Sequence, residues 1–449
     1  MLTKWQVRNF KSIVDSGVIQ LRPLTIFAGP NSAGKSNMQE SLAIFAQTTR
    51  LEPTVAPSLS GSVSYGEFFT YPQHNRFEFI AHKGDLSREI SFEVNIDLKK
   101  HESSKISEFI RRAKALMILK NLPSDKVSTI GYTYSYKPET NETSQSIFLN
   151  TTKLIGIGYH RVGPSTYQTR IDYPKKFEGT PLGISAEEMF RVEGLGFVAK
   201  KQDETKTLEE LSSITKEALR LLTAQLTKVF FISALRGLTE ATLKVSPEPS
   251  WVGKHCENVI GILALCTSTP NYKNRLKKIT EWTLKFKIGE ISAGWRGRDK
   301  ISADFEDPVF KIPLDLALAS FGSRQALGII TQIFWGSPGD VIMIEEPEMS
   351  LHPESQVLLQ ELFAEAIKEG KQIIYSTHSP FLILALSRLI KQKKLSTQDI
   401  AVYHFEKKTE KGTTVKKLKL DKHGFVKGWI PSYIAAEDEI FREWAESLE

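Results

Sequence analysis

The sequence predicts an α/β fold built on a mixed sheet, and three observations carry that prediction. A glycine-bearing loop at 29–36 lies between an apolar strand (24–27) and a helical pattern (38–45). A run of four apolar residues, 341–344, reads as a buried parallel strand and ends in carboxylates at Glu345, Glu346 and Glu348. Residues 315–405 alternate helical and strand patterns, as an α/β sheet does. The 449 residues include 41% hydrophobic and 25% charged residues. That is globular composition, and it excludes a collagen, a disordered chain or a coiled-coil rod.

Taken in order, 2–7, 18–21 and 24–27 read as short strands separated by turn residues. Residues 53–66 have loop composition, and 77–82 and 89–98 read as two further strands. Helical spacing begins at 99–120. Residues 122–175 mix Tyr, Thr and Ser with turns and read as strands and irregular loops, and 184–227 are mostly helical, with Leu208, Leu211, Ile214, Leu219, Leu222 and Leu226 at a helical period. Residues 229–233 read as a buried strand and 255–286 as helix. The expected organisation is an amino-terminal lobe (1–98), an inserted, mostly helical subdomain (99–228), a carboxyl-terminal lobe (229–400) and a small carboxyl-terminal domain (401–449). Cys256 and Cys266 are too few for a disulfide framework and read as free buried thiols. The opening, punctuated by Lys4 and Arg8, does not read as a signal peptide, and no apolar run reaches membrane-spanning length. A cytoplasmic protein without a membrane partner is expected.

The loop Gly29-Pro30-Asn31-Ser32-Ala33-Gly34-Lys35-Ser36 has the GxxxxGKS spacing in the strand-before, helix-after context that a phosphate-binding loop requires. Gly29 and Gly34 permit the backbone angles that turn amides inward. With the helix start at Asn37, those N–H groups suit phosphate oxygens. Lys35 would reach the terminal phosphates of ATP, and the Ser36 hydroxyl would ligate Mg²⁺.

At the end of the acidic strand, Glu345 would orient Mg²⁺ and its waters, and Glu346 would polarise the attacking water as general base. Residues 373–379 form a strand ending in His378, which as a neutral ring could hydrogen-bond a γ-phosphate; a packing histidine is the alternative. Ser320, Gly322 and Ser323 open a helix before the acidic strand. Such an N-terminus could hold the phosphate of a nucleotide carried by a second subunit, or Ser320 could be a plain N-cap. Ser350-Leu351-His352-Pro353 is expected to turn toward the same interface.

At these residues the sequence resembles the ATP-binding-cassette class of P-loop ATPases, and more narrowly the SMC-like and OLD-like ATPases of prokaryotic anti-phage defence, such as the Septu-like and PARIS-like ATPase subunits. The resemblance runs from Val7-Arg8-Asn9-Phe10 through the phosphate loop. It resumes at 229–236, 251–255, 345–353 and 376–380, and ends in a stretch with Gly424 and Trp429-Ile430-Pro431. It implies two heads sandwiching two ATP molecules, with Ser320, Gly322 and Ser323 acting in trans. The sequence departs from the pattern in three ways. Glu345 stands where Asp is typical, the signature lacks paired glycines, and no DxD motif of a Toprim nuclease domain is found. Gln73 is the candidate for the glutamine loop. Arg236 faces nucleotide or partner, or is an ordinary surface arginine.

The favoured expectation is an ATP-dependent switch that forms a homodimer or higher oligomer and regulates a separate effector, a nuclease or toxin. Two alternatives stand beside it. One is an SMC-like DNA-binding repair ATPase; the other is a scaffold that holds ATP without hydrolysing it. The net charge of +7 is unevenly spread, with basic excess at 99–120, 271–300 and 386–428, the surfaces where DNA or an acidic partner would be sought.

Overall fold

A computed structural model describes residues 1–51, 77–115, 126–140, 142–161, 167–172, 190–193, 196–199, 206–237, 242–244, 249–295, 300–428 and 430–434. Gln73, Trp429 and the acidic tail from Glu437 lie outside the described residues. Contacts group the chain into two compact units. One comprises residues 1–21, 37–229 and 407–414, and the other residues 22–36, 230–406 and 415–449.

The first unit is organised by an eight-stranded sheet. Its path runs Ile13–Asp15, Leu2–Phe10, Ile90–Asp97, Thr129–Lys137, Glu142–Leu149, Thr152–Arg161 and Tyr167–Asp172, with Ile19–Gln20 also paired to Leu2–Phe10. Ile90, Phe92, Val94 and Ile96 alternate with more exposed residues, so one face of their strand is buried and the other is not. On the buried side Trp5, Phe45, Phe92 and Tyr132 cluster. Ring centroids lie 5.6 Å apart for Trp5–Phe92 and 5.1 Å for Phe45–Phe92, and the Trp5 indole donates to Ser41 Oγ at 3.1 Å. Each such buried ring contributes about 1.5–3 kcal/mol through burial alone.

Two expectations change here. Residues 77–82 do not form a strand. Phe77–Phe79 is a 3₁₀ turn, and only the bridge Phe10↔Ala81 pairs, because the chain turns back at Lys83 (φ 56°) and Gly84 (φ 71°). The stretch 99–228 is less helical than expected. Its described helices are Lys100–Ala115 and Lys206–Leu226, and Phe190–Glu193 with Gly196–Ala199 forms an antiparallel pair inside the stretch read as helix, while the strands read within 122–175 are present, 129–172 supplying four to the sheet. The physical reason is visible in Ile130, Tyr132, Tyr134 and Tyr136, buried aromatic and β-branched residues at a period of two.

The second unit holds the strands that position the site. The order in the six-stranded sheet is Val229–Ile232, Val341–Glu345, Gln372–Thr377, Leu24–Ala28, Ile400–Lys408 and Gly412–Leu418. Three neighbouring pairs are parallel: 341–345 with 372–377, 372–377 with 24–28, and 24–28 with 400–408. Residues 22–36 therefore group with the acidic and histidine strands rather than with the rest of the amino-terminal chain. These parallel strands are buried along their length, which explains the unbroken apolar runs. A smaller antiparallel sheet pairs Lys300–Glu306 with Thr242–Lys244, Glu290–Trp295 and Pro313–Asp315. Cys256 and Cys266 are free and buried. Among the described residues, no helix is long and apolar enough to cross a membrane. The mixed α/β class expected from the sequence holds.

Candidate nucleotide site

The register of the parallel strands brings three loops to one sheet edge. Glu345 pairs with Ser376, and Thr377 pairs with Ala28. The loops that follow these strands carry the phosphate-loop residues, His378 and Glu346. All three leave from the carboxyl ends, where open α/β sheets bind ligands. The 372–377 strand lies between the other two, so His378 should fall between Lys35 and Glu346. It does: His378 Nε2 is 3.0 Å from Lys35 Nζ and 3.5 Å from Glu346 Oε1. A neutral ring can accept from the Lys35 ammonium through this nitrogen, or donate from it to Glu346 in the other tautomer.

The glycine loop has the backbone its sequence demands. Gly29 (φ 147°) passes so close to the next strand that a Cβ would stand 2.3 Å from the Phe405 carbonyl oxygen. Gly34 has φ 100° and Ser32 φ 58°. The helix Lys35–Leu51 starts directly afterwards, so its first amides face the loop end. Pro30, Asn31, Ser32 and Ser36 are exposed, while Ala33, Gly34 and Lys35 are buried. The Lys35 ammonium donates to the carbonyls of Gly29 (3.0 Å) and Pro30 (2.8 Å). Burial lowers its pKa from 10.5 to about 8, partly countered by the charges of Glu346, Glu348 and Glu345. Asn37 turns away from the loop: its side-chain amide donates to Ser12 Oγ at 2.7 Å. Only its main chain remains for a phosphate.

The acidic loop is fixed from several sides. Glu345 Oε2 accepts from the Ala234 N–H at 3.3 Å. Glu346 sits at φ 41°, a left-handed conformation that costs a non-glycine residue about 1–3 kcal/mol unless its surroundings impose it. They do impose it. The Glu346 N–H donates to the Ser376 carbonyl (3.0 Å), and its own carbonyl accepts from Arg236 Nη2 (3.0 Å) and the Met349 N–H (3.0 Å). A hydrogen bond from His378 holds the Glu346 carboxyl below the usual carboxylate range. Burial opposes that effect, and the charges of Lys35 and Arg236 add to it.

Two residues that sequence reasoning left unassigned are structural centres of this loop. Arg236, left open between site and surface, is only 3% exposed, so the surface reading is corrected. Its Nη1 donates to the carbonyls of Ser233 (3.1 Å) and Glu345 (2.7 Å), and Nη2 serves Glu346. Burial lowers its pKa to about 10. Glu348 Oε1 accepts from Thr377 Oγ1, His378 N and Ser379 N, and burial raises its pKa. The legible signal was a third carboxylate at the end of an apolar strand, which needs donors from a neighbouring loop.

Ser320, Gly322 and Ser323 lie apart from this hydrogen-bonded cluster, on the first turn of the helix Phe321–Trp335. Ser320 is the N-cap: its Oγ accepts from the Ser323 N–H at 3.1 Å. Gly322 abuts the turn after the acids, where a Cβ would stand 2.3 Å from the Ser350 carbonyl oxygen. Ser350 has φ 60°, and His352 caps the helix Pro353–Lys368, so the expected turn is present.

The residues fit the groups their spacing implies. A glycine loop with left-handed angles, a helix start and a buried ammonium suit phosphate oxygens. The exposed Ser36 hydroxyl and the Glu345 carboxylate are oxygen donors of the kind Mg²⁺ prefers. A glycine loop between strand and helix, an acidic strand and a histidine strand on one parallel edge define a P-loop ATPase. The family described as "AAA ATPase domain" matches residues 1–383, and the chain belongs to it. It is therefore a nucleotide-binding ATPase. No curated protein matches the chain.

Among solved structures, the chain is similar to an Smc head bound to the C-winged helix domain of ScpA, with 11% identity over 94% of this chain and 98% of that one and a TM-score of 0.45. It is also similar to the SMC head domain from Thermotoga maritima (11%, 93% and 99%, TM-score 0.40). A third is an Smc head with an extended coiled coil bound to the C-terminal domain of ScpA derived from Pyrococcus furiosus (10%, 99% and 99%, TM-score 0.45).

Proposed function

We propose that this ATPase binds ATP with Mg²⁺ at 29–36, oligomerises on ATP through the helix start at Ser320–Ser323, where Ser320 and Phe321 are exposed, and regulates a separate nuclease or toxin effector in anti-phage defence. The observation that supports the catalytic part is the Lys35–His378–Glu346 cluster, in which the His378 ring lies 3.0 Å from a cation and 3.5 Å from a carboxylate. In this reading the main-chain amides of 29–36 orient the phosphates, and Lys35 places positive charge beside the terminal ones. Glu346 orients the attacking water, and His378 Nε2 contacts the γ-phosphate. Mg²⁺, held by Ser36 and Glu345, would supply charge neutralisation at the phosphate oxygens. Phosphoryl transfer asks a protein mainly for positioning and electrostatics, and such an arrangement provides both. Support for the regulatory part is the sequence resemblance to defence ATPases together with the absence of a DxD motif.

The test is Glu346→Gln. ATP turnover should fall by about 10²-fold or more, the range expected when a positioned base is lost. The nucleotide-bound oligomer should accumulate on size-exclusion chromatography with light scattering. Undiminished hydrolysis would sink the catalytic assignment, and an unchanged mass with ATP would sink the oligomer.

A further inference from the structure

Glu348 takes no part in the scheme above, yet three donors converge on one of its oxygens. The parallel ladder between the acidic and histidine strands runs out at Glu345↔Ser376, and the Glu346 N–H to Ser376 carbonyl bond is its last backbone link. Past that point the chain at 377–379 needs another acceptor. Glu348 Oε1 supplies it for Thr377 and His378 and shares the Ser379 N–H with Thr377 Oγ1, which accepts it at 2.8 Å. Glu348 Oε1 accepts from Thr377 Oγ1 at 2.7 Å, from the His378 N–H at 2.7 Å and from the Ser379 N–H at 3.1 Å. Bonds to an ionised acceptor are stronger than neutral ones. The carboxylate also sits at the start of the helix Pro380–Lys391, where negative charge is favoured. Ser379 is secured in turn: its Oγ donates to Gln356 Oε1 at 2.6 Å and accepts from the Leu382 N–H at 3.3 Å. At the other end, Glu348 is two residues from Glu346, inside a turn closed by Met349 N–H to Glu346 carbonyl and Leu351 N–H to Glu348 carbonyl, each 3.0 Å.

We propose that Glu348 is a positioning residue that pins the His378 backbone to the loop carrying Glu346, so that His378 and Glu346 are placed as one unit. This rests on the proposed role of His378 in turnover. The carboxylate never reaches substrate; it acts through the main chain of 377–379. Glu348→Ala releases the Thr377 hydroxyl and the His378 N–H, leaves the Ser379 N–H only its bond to Thr377 Oγ1, and lets the His378 ring drift from its place between Lys35 and Glu346. Glu348→Gln keeps an acceptor oxygen, and Thr377→Val removes one donor to Glu348 and the second acceptor of the Ser379 N–H while keeping the side chain's shape.

The experiment measures ATP turnover of the full chain with Mg²⁺ for Glu348→Ala, Glu348→Gln, Thr377→Val, His378→Ala and the double variant Glu348→Ala/His378→Ala. Melting curves confirm folding at the assay temperature. Expected are a kcat loss of about 10–100-fold for Glu348→Ala, on the scale of an ångström of misplacement, with KM for ATP within about threefold of native. Glu348→Gln should stay within about threefold of native, and Thr377→Val should fall between. In the double variant kcat should equal that of His378→Ala within about twofold. Multiplying losses would overturn the proposal, because they would mean Glu348 acts independently of the histidine. If Glu348→Ala does not fold, the Gln and Val variants carry the same comparison.

A second readout needs no turnover. With ¹³C-labelled histidine, the His378 ring signal, assigned by its loss in His378→Ala, should shift and broaden in Glu348→Ala and return in Glu348→Gln. An unmoved signal overturns the pin. A native kcat in His378→Ala together with a moved signal overturns only the catalytic reading of His378.

Discussion

Arg236 offers the sharpest test of how the acidic loop is held. Arg236→Leu keeps an apolar stem in a buried place but leaves the carbonyls of Ser233 and Glu345 without their guanidinium donor, while the Glu346 carbonyl keeps only the Met349 N–H. An orphaned buried carbonyl costs about 1–3 kcal/mol, so the gross loss is about 2–6 kcal/mol. Burying the cation has its own cost, seen in a pKa lowered by burial to about 10 from 12.5, and removing it returns up to about 3 kcal/mol at 1.36 kcal/mol per pKa unit. The net expectation is a change between roughly none and about 3 kcal/mol of destabilisation. The larger effect should be on chemistry. Glu346 is held at φ 41° in part by the Arg236 bond, and relaxation toward an ordinary backbone would swing its carboxylate off line. A displacement of that order costs about 10²-fold in turnover. Arg236→Lys keeps the charge but not the fork that reaches Glu345 and Glu346 together, so its kcat should lie between the native and Leu values. The assay pairs a thermal melt of the nucleotide-free protein with steady-state ATP hydrolysis. A folded Arg236→Leu protein whose kcat stays within threefold of native would refute the reasoning, whatever its melting temperature.

Two further outcomes follow from single contacts. Gly322→Ala drives a Cβ to 2.3 Å from the Ser350 carbonyl oxygen, an overpacking that should cost about 1–3 kcal/mol and lower both the melting temperature and kcat; a variant as stable and active as native would show that this turn yields freely. Burial lowers the His404 pKa below 6.5, with the charges of Lys416 and Lys35 acting in the same direction and Glu406 against. The unfolded chain therefore binds this proton more tightly, and stability is lost as pH falls through 6.5 toward the folded pKa. His404→Gln should flatten the pH 7.5 to 5.5 slope of the urea midpoint, and an unchanged slope would assign it to other groups.

The parts of the site that could be read from the sequence are those whose chemistry is local. The phosphate loop is legible because spacing, preceding strand and following helix are all short-range, and the left-handed angles at Gly29, Ser32 and Gly34 follow from it. The acidic and histidine strands are legible because buried parallel strands are continuous apolar runs. What brings them together is strand order, which no residue spells out: the histidine strand lies between the other two, and only that order sets His378 beside both Lys35 and Glu346. Arg236 is separated from Glu345 by more than a hundred residues, and its burial reverses the ordinary expectation for a charged side chain. The strands of 129–172 were harder to place. Tyr, Thr and Ser suit strands and irregular loops alike, and pairing across the eight-stranded sheet decides between them.

Glu345, Glu346 and Glu348 are three carboxylates within four residues, and their surroundings separate them. Glu345 is fixed by a backbone N–H from Ala234. Glu346 is held below the ordinary carboxylate range by His378, while burial raises Glu348. Environments that push neighbouring acids apart divide their roles. The direction matters for Glu346: a carboxyl with a lowered pKa is ionised at neutral pH but binds a proton weakly. It is better suited to orienting a water and stabilising developing charge than to removing a proton early. A loose phosphoryl-transfer transition state asks for little early proton removal, so the demand and the environment agree. Under the proposed mechanism, the alignment of Glu346 and His378, rather than the basicity of either, is what the hydrogen bonds of Arg236 and Glu348 would protect.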